Sequence, residues 1–282
     1  MQASNDTIIN DSNKLPFVLV EKSNQQDKGN VASAHQSSWD FEISTGNKKI
    51  ALKLIVNNDK AVLSDLVPVA HQVCDMINRH AMENETESGN EISCQKGCAN
   101  CCSYMVSLSS AEAFYMQKYI MSLPGERRKQ IQHSFLRAAR KIAANKVPPV
   151  LDETMDESEC LKAISSWYQK MEIKCPFLSE KACSEYAARP LVCREHLVTS
   201  PMRYCLPSSP ELTDVVELPI STAETLMHIS NRLESTQDEA VVLPLAMVWC
   251  NTNAFRGEKT YKSSLLAEHF IEAISANIPA MA

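Results

Sequence analysis

Apolar and polar residues alternate in two stretches near the N-terminus. Residues 39–43 and residues 50–56 are apolar at every second position, and Thr45, Gly46 and Asn47 stand between them. Alternation with period two predicts β-strands, and Gly and Asn between two such runs are typical of a hairpin turn. We therefore predict a β-hairpin here, packed on the rest of the protein because an isolated hairpin is only marginally stable.

Beyond the hairpin, the apolar spacing changes to the three- and four-residue steps of amphipathic helices. Three predicted helices begin at a capping box, in which Ser or Thr is followed three positions later by Glu: Ser109 with Glu112, Thr154 with Glu157 and Ser221 with Glu224. The predicted helical segments are 61–83, 109–123, 126–145, a helix from Thr154 to about 172, a helix that opens at Ser221, and 261–276. The fold class is therefore mostly α, a helical domain with an N-terminal β-hairpin.

Composition divides the chain into two parts. Residues 1–38 are rich in Asn, Ser, Asp and Gln and are interpreted as a disordered tail with a short extended piece at "FVLV". Residues 39–282 are interpreted as a single helical metal-binding domain whose cysteine-cluster core covers about 94–205.

Charge and hydropathy narrow the classes of partner. The formal net charge is −6 and the pI is near 5.7, so we expect no nucleic-acid partner, whereas a protein partner stays open. The first residues lack a basic segment followed by a long apolar run, and the longest apolar stretch, 240–250, is too short to cross a bilayer. We therefore expect a cytoplasmic protein without membrane association.

Only six glycines are present and no phosphate-binding loop occurs, which disfavours a nucleotide-binding α/β protein.

Cysteine is the residue type that carries candidate chemistry. Of 11 cysteines, eight lie in two clusters, and Gly97 provides turn freedom in the first. The clustered residues are Cys94, Cys98, Cys101 and Cys102, followed by Cys175, Cys183, Cys193 and Cys205. Short loops with several thiolates can place sulfur at about 2.3 Å from one metal. Since predicted helices separate the clusters, we predict that a shared Cys-ligated centre joins distant parts of the domain.

Zinc and an iron–sulfur cluster both suit an all-cysteine site, and the residues leave the choice between them open. Disulfides fit less well, because a disulfide scaffold is usually a shorter, secreted chain. The spacing from Cys94 to Cys101 also occurs in the cluster loop of radical SAM enzymes. Asn100 replaces the aromatic residue usual there, and the glycines of a β/α barrel are missing. The isolated Cys74, Cys160 and Cys250 are interpreted as ordinary packing residues.

The motifs "GCANCC…VSLSSAEAF" and "CPFLSEKACSEYAARPLVCR" resemble those of the YkgJ-like cysteine-cluster family, described as a zinc- or iron-chelating domain. The resemblance covers about residues 94–195 and implies metal binding without a settled activity. The matching positions are Cys94, Cys98, Cys101, Cys102, Glu112, Cys175, Pro176, Phe177, Leu178, Cys183, Tyr186, Arg189, Pro190, Cys193 and Arg194. A related cysteine pattern occurs in bacterial flagellin lysine methylases, which use SAM.

The resulting hypothesis is a metal-binding cysteine-cluster protein, with zinc or an iron–sulfur cluster as cofactor. One alternative is an enzyme, either a SAM-dependent protein lysine methylase-like protein or a cluster-based redox enzyme. The other is an interaction module that structural zinc holds together. Whether the protein is an enzyme stays open at this level.

Several residues near the cysteine clusters allow two interpretations of their role. Arg189 and Arg194 either line a functional pocket with Tyr186, where they offset thiolate charge or hold an anion, or they pack locally. His196 is expected to be solvent-exposed rather than a ligand. The basic segment 126–146 is expected to be a solvated amphipathic helix, with a surface for an anion or an acidic partner as the alternative.

Overall fold

A computed structural model describes residues 15–22, 37–45, 48–146, 156–237 and 239–276, without the side chains of residues 157 and 158. Over these residues the chain is mostly α-helical, as predicted. The helices are α1 (Val67–Glu87), α2 (Ser110–Ser122), α3 (Gly125–Ala143), α4 (Glu157–Lys170), α5 (Leu191–Glu195), α6 (Thr222–Glu234), α7 (Ala246–Thr252), α8 (Ala254–Gly257) and α9 (Ser263–Ser275). The strands are β1 (Phe17–Glu21), β2 (Ser37–Thr45), β3 (Lys48–Val56), β4 (Lys60–Val62), β5 (Ser107–Leu108), β6 (Leu178–Ser179), β7 (Ala182–Cys183), β8 (Val241–Val242) and β9 (Thr260–Lys262).

The predicted hairpin is β2–β3, an antiparallel pair in which Ile43 lies opposite Ile50. Strand β1 pairs with the other edge of β3, so the sheet order is β1-β3-β2. The short extended piece expected within the tail is this third strand. The turn at Gly46 and Asn47 lies outside the described residues, as do residues 1–14 and 23–36, on which the prediction of a disordered tail rests.

Helix starts follow the capping residues where these are described. The Ser109 hydroxyl accepts the N–H of Glu112 at 3.2 Å, and Ser221 does the same for Glu224 at 3.1 Å, so both predicted caps are confirmed. Thr154 lies outside the described residues, and α4 is capped instead by Asp156, which accepts the N–H of Glu159 at 2.8 Å.

Helix α1 begins at Val67, later than predicted, because β4 and a 3₁₀ turn over Leu63–Leu66 occupy the preceding residues. Strand β4 pairs with β9, so residues 61 and 62, and likewise residues 261 and 262 at the start of the predicted last helix, belong to strands instead.

Two large hydrophobic clusters position the cysteine segments. The first joins the inner face of the β1-β3-β2 sheet to α1, α6 and α9, and the second joins α2, α3 and α7. Cys94 packs against the first cluster, whereas Cys175, Cys183 and Cys193 pack against the second. The cysteine-rich segments therefore lie where the two clusters meet. The interpretation of residues 39–282 as a single domain stays a prediction.

Helices α2, α3 and α4 lie between the two cysteine clusters along the chain, as predicted. Among the described helices, none has both the length and the apolar character needed to cross a bilayer.

Candidate metal centre

The first cysteine loop, between α1 and β5, is a succession of tight turns. Hydrogen bonds of 3.0–3.1 Å link the N–H groups of Cys98, Cys102 and Tyr104 to carbonyl oxygens three residues earlier. Gly97 has φ +97°, a left-handed conformation that side-chain-bearing residues rarely adopt. The turns therefore bring Cys98, Cys101 and Cys102 close together without any regular element.

Backbone contacts with residues 196–202 hold this loop in place. The N–H of Ser93 donates to the Val198 carbonyl at 2.9 Å, and the Asn100 amide donates to the Met202 carbonyl at 2.7 Å. The Cys94 thiol lies 3.7 Å from the His196 carbonyl oxygen. Cys94 therefore faces this supporting segment.

The second cluster meets the first through the backbone. The N–H of Cys175 donates to the Cys102 carbonyl at 2.8 Å. The β6–β7 hairpin then reverses the chain through Glu180 and Lys181, which have φ of 48° and 64°. This reversal brings Cys183 opposite Leu178 and back beside Cys175.

Cys193 lies on α5, which buried carboxylates hold from both ends. The Glu112 carboxylate accepts the N–H of Leu191 at 2.9 Å, at the start of the helix. At the other end, Glu195 accepts the N–H groups of Thr222 and Ala223 at 2.6 and 3.0 Å. Helices α2 and α6 thus fix the position of the α5 cysteine.

Six of the eight predicted ligands line one cavity of about 70 Å³. They are Cys98, Cys101, Cys102, Cys175, Cys183 and Cys193. The two cysteine clusters therefore converge, as the sequence predicts. Cys94 and Cys205 do not line the cavity. Cys205 is buried near the first cysteine loop. Burial raises the pKa of its thiol to about 11, and the neighbouring Cys101, Cys94 and Cys98 contribute to this rise.

The six cavity thiols do not form a finished ligand shell. As the side chains stand, no three His, Cys, Asp or Glu residues within the described parts of the chain are arranged to hold a metal ion. Thiolate sulfur is nonetheless a ligand that zinc and iron both accept. A cysteine sulfur moves by rotation about a single bond between staggered positions. The donor set therefore fits such a metal in its chemistry, although its sulfurs are not yet in coordinating positions.

The cavity is electrostatically unfavourable for several bare thiolates. Burial raises the pKa of Cys175 to about 12 and that of Cys193 well above its ordinary value, and neighbouring thiols add to both shifts. A hydrogen bond from Cys102 lowers the pKa of Cys101, and the same contact raises the pKa of Cys102. Ionisation of several of these thiols at once therefore needs a compensating cation.

Arg189 is the cation at this cavity. Its side chain lines the wall, and its guanidinium carbon lies 4.2 Å from the ring centroid of Tyr186. Its Nε is buried and has no hydrogen-bond partner among the described residues. Arg189 also opposes the rise in the pKa of Cys193 and Cys183. The interpretation of this arginine as a pocket residue therefore agrees with its position.

Arg194 does not share that role. Its guanidinium turns away from the cavity, donates to Asp75 at 2.8 Å, and donates to the carbonyl oxygens of Ala187 and Arg189. The hypothesis of a pocket lined by both arginines is therefore wrong for Arg194, because α5 directs this side chain toward α1. Arg194 instead holds the turn that precedes Cys193.

Of the other residues with a predicted role, some agree with the prediction and some do not. His196 is half-buried rather than exposed, and its ring lies edge-on to Tyr104 with centroids 6.1 Å apart. Cys74 and Cys250 are buried core residues, as expected. Tyr168 of α4 and the Leu243–Pro244 turn also line the cavity, although their positions in the sequence predicted no such role. No local motif marks them, because only the packing of distant elements brings them to the cysteines.

The fold and the cavity define a helical protein whose two cysteine clusters meet in one thiol-lined cavity. Residues 93–209 match the CxxCxxCC family model, described as "Putative zinc- or iron-chelating domain". This match confirms the resemblance drawn from the motifs for this segment of the chain. Comparison with curated proteins and with solved structures gave no match.

Proposed function

We propose that the protein binds zinc or iron in the thiol-lined cavity, with ligands drawn from Cys98, Cys101, Cys102, Cys175, Cys183 and Cys193. The observation that carries the proposal is the convergence of these six thiols, from two clusters far apart in the chain, on one cavity. The match of residues 93–209 to a metal-chelating family supports it. Cys94 and Cys205 do not line the cavity and are therefore left out of the proposed ligand set.

The charge balance of the cavity supports a bound cation. Several buried thiols resist ionisation, and among the described cavity-lining residues Arg189 is the single positive charge. A divalent metal stabilises coordinating thiolates, and binding it releases their protons. We therefore expect protons to be released when the metal binds.

The test is metal analysis of protein purified without oxygen, combined with visible absorption spectra. Zinc would give a colourless protein with a stoichiometric metal content, whereas an iron–sulfur cluster would give a brown one. The double variant Cys175→Ser with Cys193→Ser should lose the metal. Cys250→Ser is the matched control, because Cys250 is buried outside the cavity, and it should keep the wild-type content.

A second pair of substitutions defines the ligand set. Cys94→Ser with Cys205→Ser should retain metal if the six cavity thiols are the ligands. Loss of metal equal to that of the Cys175 and Cys193 double variant would contradict this assignment. A wild-type protein that takes up neither zinc nor iron would overturn the proposal itself.

The cytoplasmic location and the absence of a nucleic-acid partner remain expectations. The methylase-like, redox-enzyme and zinc-held interaction alternatives gain no support from the comparisons.

A further inference from the structure

Helix α3 concentrates positive charge in an otherwise acidic protein. Its 19 residues contain six Lys or Arg and one acid, Glu126, whereas the whole chain has a formal net charge of −6. The excess negative charge therefore lies outside this helix. A helix of this kind presents a local cationic surface on a protein whose net charge is negative.

A groove runs between α3 and the β6–β7 hairpin. It has a volume of about 320 Å³, with Ile131, Ser134 and Arg137 on the helix side and Leu178, Ser179 and Ser184 on the hairpin side. A second depression of about 500 Å³ lies on α3, and its described lining is His133, Leu136, Arg137 and Arg140. His133 and Arg137 belong to both, so the two form one extended surface, which we call the α3 groove.

The three cations near the start of α3 are already engaged. Arg127 donates to the buried carboxylate of Glu185 at 2.7 Å, Arg128 donates to the Met121 carbonyl at 3.0 Å, and Lys129 pairs with Glu126 at 3.1 Å.

Arg137 and Arg140 differ from these residues. Arg137 reaches only the Ser134 hydroxyl, at 3.5 Å, and neither arginine forms an ion pair with an acid of the described chain. Arg127 lines the groove as well but is held by Glu185, so among the described residues Arg137 and Arg140 are the groove arginines that remain open to a ligand from outside.

The groove also contains apolar surface. Leu136 is 44% exposed beside Arg137 and Arg140, and Leu178 and Pro176 contribute from the hairpin. A ligand that matches this surface needs negative charge together with apolar side chains. Arginine pairs with carboxylates through two parallel N–H groups, which suits an acidic peptide.

We propose that the α3 groove binds an acidic segment of a protein partner in which carboxylates alternate with apolar residues. Arg137 and Arg140 pair with the carboxylates, and Leu136 with Leu178 receives the apolar side chains. A long polyanion such as duplex DNA would extend beyond the groove and meet the net negative remainder of the protein. The charge distribution therefore favours a short acidic peptide.

The test uses the full-length, metal-loaded protein and a fluorescein-labelled synthetic peptide of repeating Glu-Glu-Leu units, followed by fluorescence anisotropy. We expect saturable binding that weakens as salt is raised, because exposed ion pairs are screened. Arg137→Glu with Arg140→Glu should weaken binding by about tenfold or more. The matched control, Arg128→Glu with Lys129→Glu, makes the same charge change on the same helix outside the groove lining, and it should change the affinity much less.

Other results would overturn the proposal. These include equal losses in the two double variants, equal binding of a Gln-Gln-Leu peptide, and tighter binding of labelled duplex DNA than of the acidic peptide. Circular dichroism of each variant establishes that α3 is intact. Because neither Arg137 nor Arg140 lines the thiol cavity, metal content measured on the same samples separates failure of this proposal from failure of the metal proposal.

Discussion

At the scale of single residues, the two arginines that bracket Cys193 have different tasks. Arg189 lies at the thiol-lined cavity, whereas Arg194 ties the preceding turn to Asp75 of α1. Both occupy motif positions, and both could have offset thiolate charge. The direction of each side chain, set by the start of α5, is what separates them.

Substitution of Arg194 should therefore mainly reduce stability, whereas substitution of Arg189 should mainly affect metal retention. We expect Arg194→Ala to lower the free energy of unfolding by about 2–3 kcal/mol, because charged hydrogen bonds are lost from a buried side chain. Arg189→Ala should change stability less but speed metal loss to a competing chelator. Denaturant unfolding and chelator competition measure the two effects. If Arg194→Ala had the larger effect on metal loss per folded molecule, the assignment would be reversed.

Glu112 is a second residue with a measurable signature. Burial raises the pKa of its carboxyl to about 7 from an ordinary 4.5, against the opposing effect of its hydrogen bonds. Since the folded state then binds more protons between these values, this contribution to stability is present below about pH 4.5 and is lost as the pH rises through 7.

As the pH rises from about 4.5 to about 7, wild type loses this contribution and Glu112→Gln does not. We therefore expect the free energy of unfolding of Glu112→Gln to rise relative to that of wild type by on the order of 3 kcal/mol over this range. Urea unfolding at several pH values gives this difference. His71, whose pKa burial lowers to about 3, changes stability in the opposite direction, but it is the same in both proteins and cancels in the comparison. A pH-independent difference between the two proteins would contradict the shift.

At the scale of elements, the short helix α8 supports the thiol-lined cavity through its packing on α2. Helix α8 ends at Gly257, where an added Cβ would lie 2.6 Å from the ring of Phe114 on α2. Helix α2 carries Glu112, which in turn positions α5 and Cys193. Close packing of α8 on α2 therefore supports the cavity indirectly.

Gly257→Ala should destabilise the protein by about 1–3 kcal/mol, the usual cost of overpacking. Gly125→Ala is the control, since a Cβ there meets nothing within 4 Å and replaces glycine at the first residue of α3. Thermal unfolding of the two variants compares them directly. Equal melting temperatures would show that α2 yields to the extra methyl group.

At the scale of the whole molecule, the thiol-lined cavity lies against one hydrophobic cluster more than the other. Cys175, Cys183 and Cys193 pack with α2, α3 and α7, whereas the β1-β3-β2 sheet, α1 and α9 form a cluster of their own. Metal binding should therefore stabilise the elements of the two hydrophobic clusters unequally. Structural zinc can contribute on the order of 10 kcal/mol or more to folding.

We expect Cys175→Ser to increase hydrogen exchange in the two cysteine loops and in α5, while β3, α1 and α9 keep their protection. Mass spectrometry of metal-loaded wild type and the variant measures this, and Cys250→Ser controls for loss of a buried thiol. Uniform loss of protection over the chain would instead show that the metal holds both clusters as a single cooperative unit.

The sequence by itself determined the local features of this protein. Periodicity gave the hairpin and the long helices, and the Ser109 and Ser221 caps fixed two helix starts, because these signals act within a few residues of one another. The cysteine motifs likewise showed the resemblance to the family whose model matches residues 93–209, and they supplied the candidate ligands.

Only the tertiary structure decided which of these residues share a cavity. It left Cys94 and Cys205 out of the cavity lining, turned Arg194 away and Arg189 inward, and added Tyr168 from α4. It also placed the β6–β7 hairpin against the cationic face of α3 to form a groove. The reason is physical: these relations depend on the packing of elements far apart in the chain, and neither periodicity nor motif spacing encodes the direction in which a packed side chain finally points.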